Sequence, residues 1–233
     1  RREGRYLLRS NLVGRDPGEL WLFYLRLGEV EQAFRTLKGD LGIRPVFHQE
    51  MPRGDVGGRM GGFQLWSNLP AAQKMRDPRY QGIEAVQVPE VRAAGATIRL
   101  IAGSVDDVVG PAIDISVEPE YLDVALEPRA TLVHPVNTGH TVFAYLYEGG
   151  GRFGSDSTLV QAGTGTLVLF GGGDGVTVAA AEYGARFLLT SGRPLREPIA
   201  WRGPIVMNTR EELELAWREL DEGTFIKHAP EGR

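Results

Sequence analysis

No cysteine occurs in the 233 residues, which excludes disulfides, zinc–thiolate sites and thiol nucleophiles at once. Histidine is scarce as well. His48, His134, His140 and His228 are the full set, so any imidazole-based metal site can be enumerated. No run approaches the roughly 20 uncharged apolar residues that a membrane helix requires. The charged opening residues lead into no apolar stretch of the secretory kind. A cysteine-free chain with neither signal is expected in the cytoplasm, away from membranes. Neither sign of charge dominates: 26 Lys and Arg stand against 30 Asp and Glu, for a net charge of −4. Nucleic acid is therefore not an expected partner of the chain as a whole.

What remains is an ordinary globular composition, 42% apolar and 24% charged, with an uneven layout. Residues 1–47 hold nine Lys and Arg against six Asp and Glu, whereas the remainder holds 17 against 24. A basic head thus precedes an acidic body. The head reads as helical. Asp16-Pro17-Gly18-Glu19 offers an N-cap, a proline at the first helical position and a glutamate at N3. Leu20, Phe23, Tyr24, Leu27, Val30, Phe34 and Leu37 then recur at the spacing of one buried helical face. Gly39, Gly42 and Pro45 supply the stop.

Behind Arg44 the texture becomes that of a β protein. Thr141–Tyr147, Gly165–Phe170, Val176–Ala180 and Ala185–Thr190 are short apolar runs punctuated by glycine clusters. Glu182-Tyr183-Gly184 is expected as a turn between the last two. Strands at this spacing indicate a sandwich or barrel. A single helix is expected here. Thr209-Arg210-Glu211-Glu212 is a capping box, Leu213, Ala216, Trp217 and Leu220 share a face, and Gly223 can end it. The proline-rich stretch Arg193–Pro204 reads as an extended segment lying over another surface.

Chemistry is confined to few residues. His48-Gln49-Glu50 is an H-x-E on a short extended stretch, and residues i and i+2 of a strand share a face. Such an N/O pair suits iron, manganese, nickel or copper, although an H-x-E alone equally describes a surface histidine beside a glutamate. His134 and His140 flank the turn His134-Pro135-Val136-Asn137-Thr138-Gly139-His140 and could approach each other across it. His228 belongs to a polar tail.

The surroundings of His48 carry a resemblance. His48-Gln49-Glu50-Met51-Pro52, followed by Gly62-Phe63-Gln64-Leu65-Trp66-Ser67-Asn68-Leu69-Pro70-Ala71, is similar to the H-S-E-M-P and G-F-Q-L-W-x-N-L-P-A stretches of pirins. Pro78-Arg79-Tyr80-Gln81, Arg99–Gly103, Tyr121–Val124, Phe143–Gly149, Gly184–Leu189 and Gly203–Thr209 continue the likeness, which spans about residues 48–227. The resemblance implies a bicupin of mainly β structure. One cupin-type β-barrel would be truncated at residues 48–109 and one complete at 110–192, with a C-terminal extension and helix at 193–233. It implies iron as cofactor, held in the family by an H-x-H pair plus the later His and Glu, to which His48 and Glu50 correspond; Glu50 would double as catalytic base. No histidine precedes His48, so the first pair has no counterpart and an impaired centre is expected. The implied activity is that of a quercetin 2,3-dioxygenase-like enzyme on a flavonoid-like substrate. The alternative is a non-catalytic module that binds a regulatory protein, or a relic.

Residues 1–47 resemble something else. Tyr24, Glu31 and Lys38 fit the Y-x2-R-x3-E-x6-K helix of DDE insertion-sequence transposases, with Leu27 where arginine is expected. The resemblance implies a transposase-like helical fragment joined near His48–Glu50, by recombination or by sequence assembly. It also implies no transposition, since the remaining catalytic acids belong to a sheet that precedes this helix. Phe63, Leu65 and Trp66 would then lose their covering strands, and self-association through the incomplete barrel is expected.

Overall fold

A computed structural model describes residues 62–227, apart from 64, 78, 80 and 155–158. The helical head expected over residues 16–38 lies outside them. Two compact units divide the chain, and residues 64–199 form the larger. Its strands are β1 (Glu90–Ala93), β2 (Ala96–Ala102), β3 (Ser104–Val105), β4 (Val108–Val109), β5 (Glu120–Leu126), β6 (Thr131–Pro135), β7 (Thr141–Gly154), β8 (Val160–Gly163), β9 (Thr166–Leu169) and β10 (Gly175–Gly192). All pairings between them are antiparallel. The mainly β class expected from glycine-punctuated runs is what the chain adopts.

Two long strands organise the unit. The second part of β10, from Ala185 on, lies between β5 and the first part of β7, and β9 flanks that part of β7. With β2 and β1 beyond β5, these segments make one layer. The first part of β10 instead lies between β6 and the second part of β7, which β8 flanks. Each long strand therefore serves two layers by bending once. The bend in β10 falls at a register shift between Ala180 and Ala185, the stretch where a turn at Glu182-Tyr183-Gly184 is expected from sequence. A bulge bends a strand without ending its ladder, so Val176–Ala180 and Ala185–Thr190 are one strand. Glycine makes the corner possible. Gly149 and Gly184 both have positive φ, and a Cβ on Gly149 would stand 2.3 Å from the Gly184 carbonyl oxygen.

The pleat decides what the layers enclose. In β2 and β5 alternate residues are buried, which puts Ile98, Leu100, Leu122, Val124 and Leu126 inside. Phe187 and Leu189 from one layer meet Phe153, Val176 and Val178 from the other in a single core. Phe153 and Phe187, both fully buried, stand edge to face with centroids 5.3 Å apart, the arrangement that their ring quadrupoles favour.

The second unit contributes β11 (Ala200–Arg202), β12 (Ile205–Met207) and α1 (Arg210–Asp221). The later part of the segment expected to be extended thus folds into a hairpin, turning at Gly203, whose φ is +58°. The capping box forms as expected: the Glu212 amide donates to Thr209 Oγ1 at 3.2 Å, and the Thr209 amide donates to Glu212 Oε2 at 3.0 Å. Leu213 and Ala216 pack on Ile205 and Met207. Gly223, with φ of +72°, follows the helix. Among the described residues no helix is long and apolar enough to cross a membrane.

Candidate functional site

One polar cluster interrupts the interior of the larger unit. Glu120 shares its pleat phase with Leu122 and Val124, His134 with Leu132, and Ser191 with Leu189 and Phe187. Three polar side chains from β5, β6 and β10 therefore point inward. His134 is 4% exposed, Glu120 14% and Ser191 2%. His134 Nε2 lies 3.1 Å from Glu120 Oε1, and the Ser191 hydroxyl donates to Glu120 Oε2 at 3.2 Å. Burial of an acid demands such partners, and here both carboxyl oxygens have one. The three side chains are thus bonded to one another. The cluster does not fit a metal, which needs three or more protein donors turned toward a common point. Among the described residues no group of three or more His, Asp or Glu gathers to hold an ion.

The other histidines fall elsewhere. His140 sits in the turn before β7, its amide donating to the Asn137 carbonyl at 3.1 Å. No hydrogen bond between it and His134 occurs among the described residues. His48, Glu50 and His228 lie outside the described residues, as do Tyr24, Glu31 and Lys38 of the head.

A second cluster occupies the opposite face of the β5 layer. The Tyr147 hydroxyl donates to Asp123 Oδ1, Arg186 donates to Asp123 Oδ2 at 3.1 Å, and the Arg186 guanidinium lies 5.3 Å from the centre of the Tyr147 ring. Burial pushes the Tyr147 phenol well above the ordinary value of 10.0, and its hydrogen bond to Asp123 pushes further, against a smaller opposing pull from Arg186. Burial, then the Asp123 charge, also raises Tyr121. Both phenols should therefore form phenolate only above the ordinary tyrosine range, Tyr147 the later of the two. A folded value above the unfolded one makes this contribution to stability complete below about pH 10 and lost as pH climbs toward the raised value. Following phenolate absorbance against pH, with Tyr147→Phe as reference, checks this. A Tyr147 that ionised at the ordinary value of about 10 would contradict it.

The same outer face carries a groove of about 290 Å³. Leu65–Asn68 and Arg193–Glu197 border it, together with Phe143 and Thr190. These bordering segments are fastened by polar contacts. Arg193 donates to the Ser116 carbonyl at 2.9 Å, and the Ala71 amide donates to Glu197 Oε2 at 2.7 Å. Exposure of Leu65 and Trp66, expected from sequence, reaches 40% and 67%; Phe63 of the other unit is 50% exposed.

Comparison with known proteins places these features. Residues 121–226 match the family model described as the pirin C-terminal cupin domain. A pirin-like protein of Caulobacter vibrioides is 41% identical over 77% of this chain and 64% of its own length. Pirin-1 of Arabidopsis thaliana is 34% identical over 91% of this chain and 70% of its own, so that likeness begins before His48. Among solved structures, a quercetin 2,3-dioxygenase from Acinetobacter baumannii superposes with a TM-score of 0.61 at 32% identity, covering 69% of this chain and 55% of that one. The chain thus spans slightly under two thirds of the Caulobacter relative.

Proposed function

Because the chain belongs to the pirin family, we propose that it works as a cupin binding protein whose described sandwich is a scaffold. A regulatory protein is the partner class this reading implies. The observation that carries it is the mutually bonded Glu120–His134–Ser191 cluster. The acid and the imidazole that the sandwich interior holds are bonded to each other, and among the described residues no third His or acid joins them, one donor fewer than a metal site usually has. His48 and Glu50 would be the remaining candidates, and two protein donors hold a catalytic metal weakly.

The second reading is a metal-dependent dioxygenase. What favours it is the likeness to the Acinetobacter baumannii quercetin 2,3-dioxygenase. In that reading His48 and Glu50 would bind the metal, iron by family resemblance, and Glu50 would accept the substrate proton. The transposase resemblance of residues 1–49 adds no activity to either reading.

Metal analysis of the purified chain separates the two, run beside oxygen-dependent consumption of quercetin. The binding-protein reading expects no stoichiometric metal and no turnover. Near-stoichiometric metal that disappears in His48→Ala, together with quercetin cleavage, would replace it by the dioxygenase.

A further inference from the structure

The groove bordered by Phe143 and Thr190 is built by one compact unit alone, since its lining runs from Leu65 to Ile199 in the sequence. Its volume of about 290 Å³ stands at the small end of the roughly 300–1,000 Å³ typical of ligand sites. That is room for a molecule of one or two rings. Leu65, Trp66, Phe143 and Ile199 give the groove apolar and aromatic walls.

Three charged side chains also line it, Arg193, Arg196 and Glu197. Two of them are occupied. Arg193 lies 3.4 Å from Glu118 Oε1 and donates to the Ser116 carbonyl at 2.9 Å, while Glu197 Oε2 accepts from the Ala71 amide at 2.7 Å. Arg196 is exposed and takes part in no hydrogen bond or ion pair among the described residues. Its backbone is held at a φ of +55°, a left-handed conformation that residues other than glycine adopt at a cost and that recurs at ligand clamps.

We propose that this groove binds a small aromatic carboxylate, its ring against Trp66 and Phe143 and its carboxylate on Arg196. Charge complementarity selects the acid. A guanidinium presents a planar fork of donors that matches a carboxylate, and a single unpaired cation balances one negative charge, which favours a carboxylate over a doubly charged phosphate. The walls select the ring, since aromatic faces pack on aromatic and apolar side chains. This site is independent of whether the chain holds a metal.

Titration calorimetry of the full chain with naphthoate, and with its uncharged counterpart naphthamide, tests it. Naphthoate should bind with a Kd of about 0.1 mM. Naphthamide should bind about tenfold more weakly, because it lacks the charge-assisted bond. Arg196→Gln should erase that preference by weakening naphthoate alone. Trp66→Ala should weaken both compounds severalfold, and Arg152→Gln, at an exposed arginine in the second part of β7, should change neither. Added salt should weaken naphthoate more than naphthamide in the unaltered chain, a readout that survives if Arg196→Gln misfolds. Equal affinity for the two compounds would overturn the proposal, as would a preference that persists in Arg196→Gln. So would an Arg196→Gln variant that lost both compounds alike, since Arg196 would then shape the groove rather than hold an anion. Absence of saturable binding would overturn it too, and would point to another segment or a second copy as the occupant.

Discussion

Replacing His134 by alanine is expected to remove about 3 kcal/mol of unfolding free energy, the upper end of the usual cost of leaving a buried polar group without its partner. The substitution deletes a side chain that is 4% exposed and takes away one of the two partners of the Glu120 carboxyl. Ser191 would remain, at 3.2 Å, and one hydroxyl satisfies only part of what the acid loses. The effect of removing the whole cluster should be much smaller. His134→Leu, Glu120→Met and Ser191→Ala combined should lie within about 1–2 kcal/mol of the parent or above it, because replacing both partners of a buried hydrogen bond by apolar groups of similar shape is often nearly neutral or stabilising. Urea denaturation of the single, double and triple variants measures the coupling directly. If His134→Ala were no worse than a surface substitution, water must already reach Glu120 freely, and the cluster would not be a buried one.

Phe187→Ala should be as damaging for a different reason. The ring is fully buried and stands edge to face on Phe153. Phe187 belongs to the part of β10 that pairs with β5, and Phe153 to the part of β7 that pairs with β8, so the two rings join the layers. Truncation removes the transfer free energy of a phenyl group and leaves a void that stiff strands fill poorly. A loss of about 3–5 kcal/mol is expected. Tyr183→Ala, at a ring 75% exposed on the corner of β10, should cost far less. Melts of the two variants side by side give the comparison, and equal losses would mean that the core pair does not bind the layers as argued.

The parts of this fold legible in the sequence are those governed by neighbours along the chain. The capping box at Thr209 and Glu212 depends on a four-residue spacing, and it forms with the expected hydrogen bonds. The runs around Thr141, Gly165 and Val176 are strands because their composition suits a pleated, half-buried surface. Where the sequence misleads, a local signal competes with pairing. Glu182-Tyr183-Gly184 has turn composition, yet the ladders on either side carry the strand through with a bulge. The polar cluster could not be read at all. Glu120, His134 and Ser191 span 71 positions and meet only because the layers stack, a consequence of register that no local pattern encodes. His48 and Glu50 are the reverse case, since their assignment comes from motif resemblance and their positions lie outside the described residues.

The two bent strands have a mechanical consequence. Since β7 and β10 are woven through both layers, the sandwich has no seam along which it could be pulled open. Neither sheet can peel away while the other stays intact, because each would carry off half of the ribbon that its neighbour needs. The two layers are therefore expected to unfold together, which coincident urea transitions by circular dichroism and tryptophan fluorescence would check.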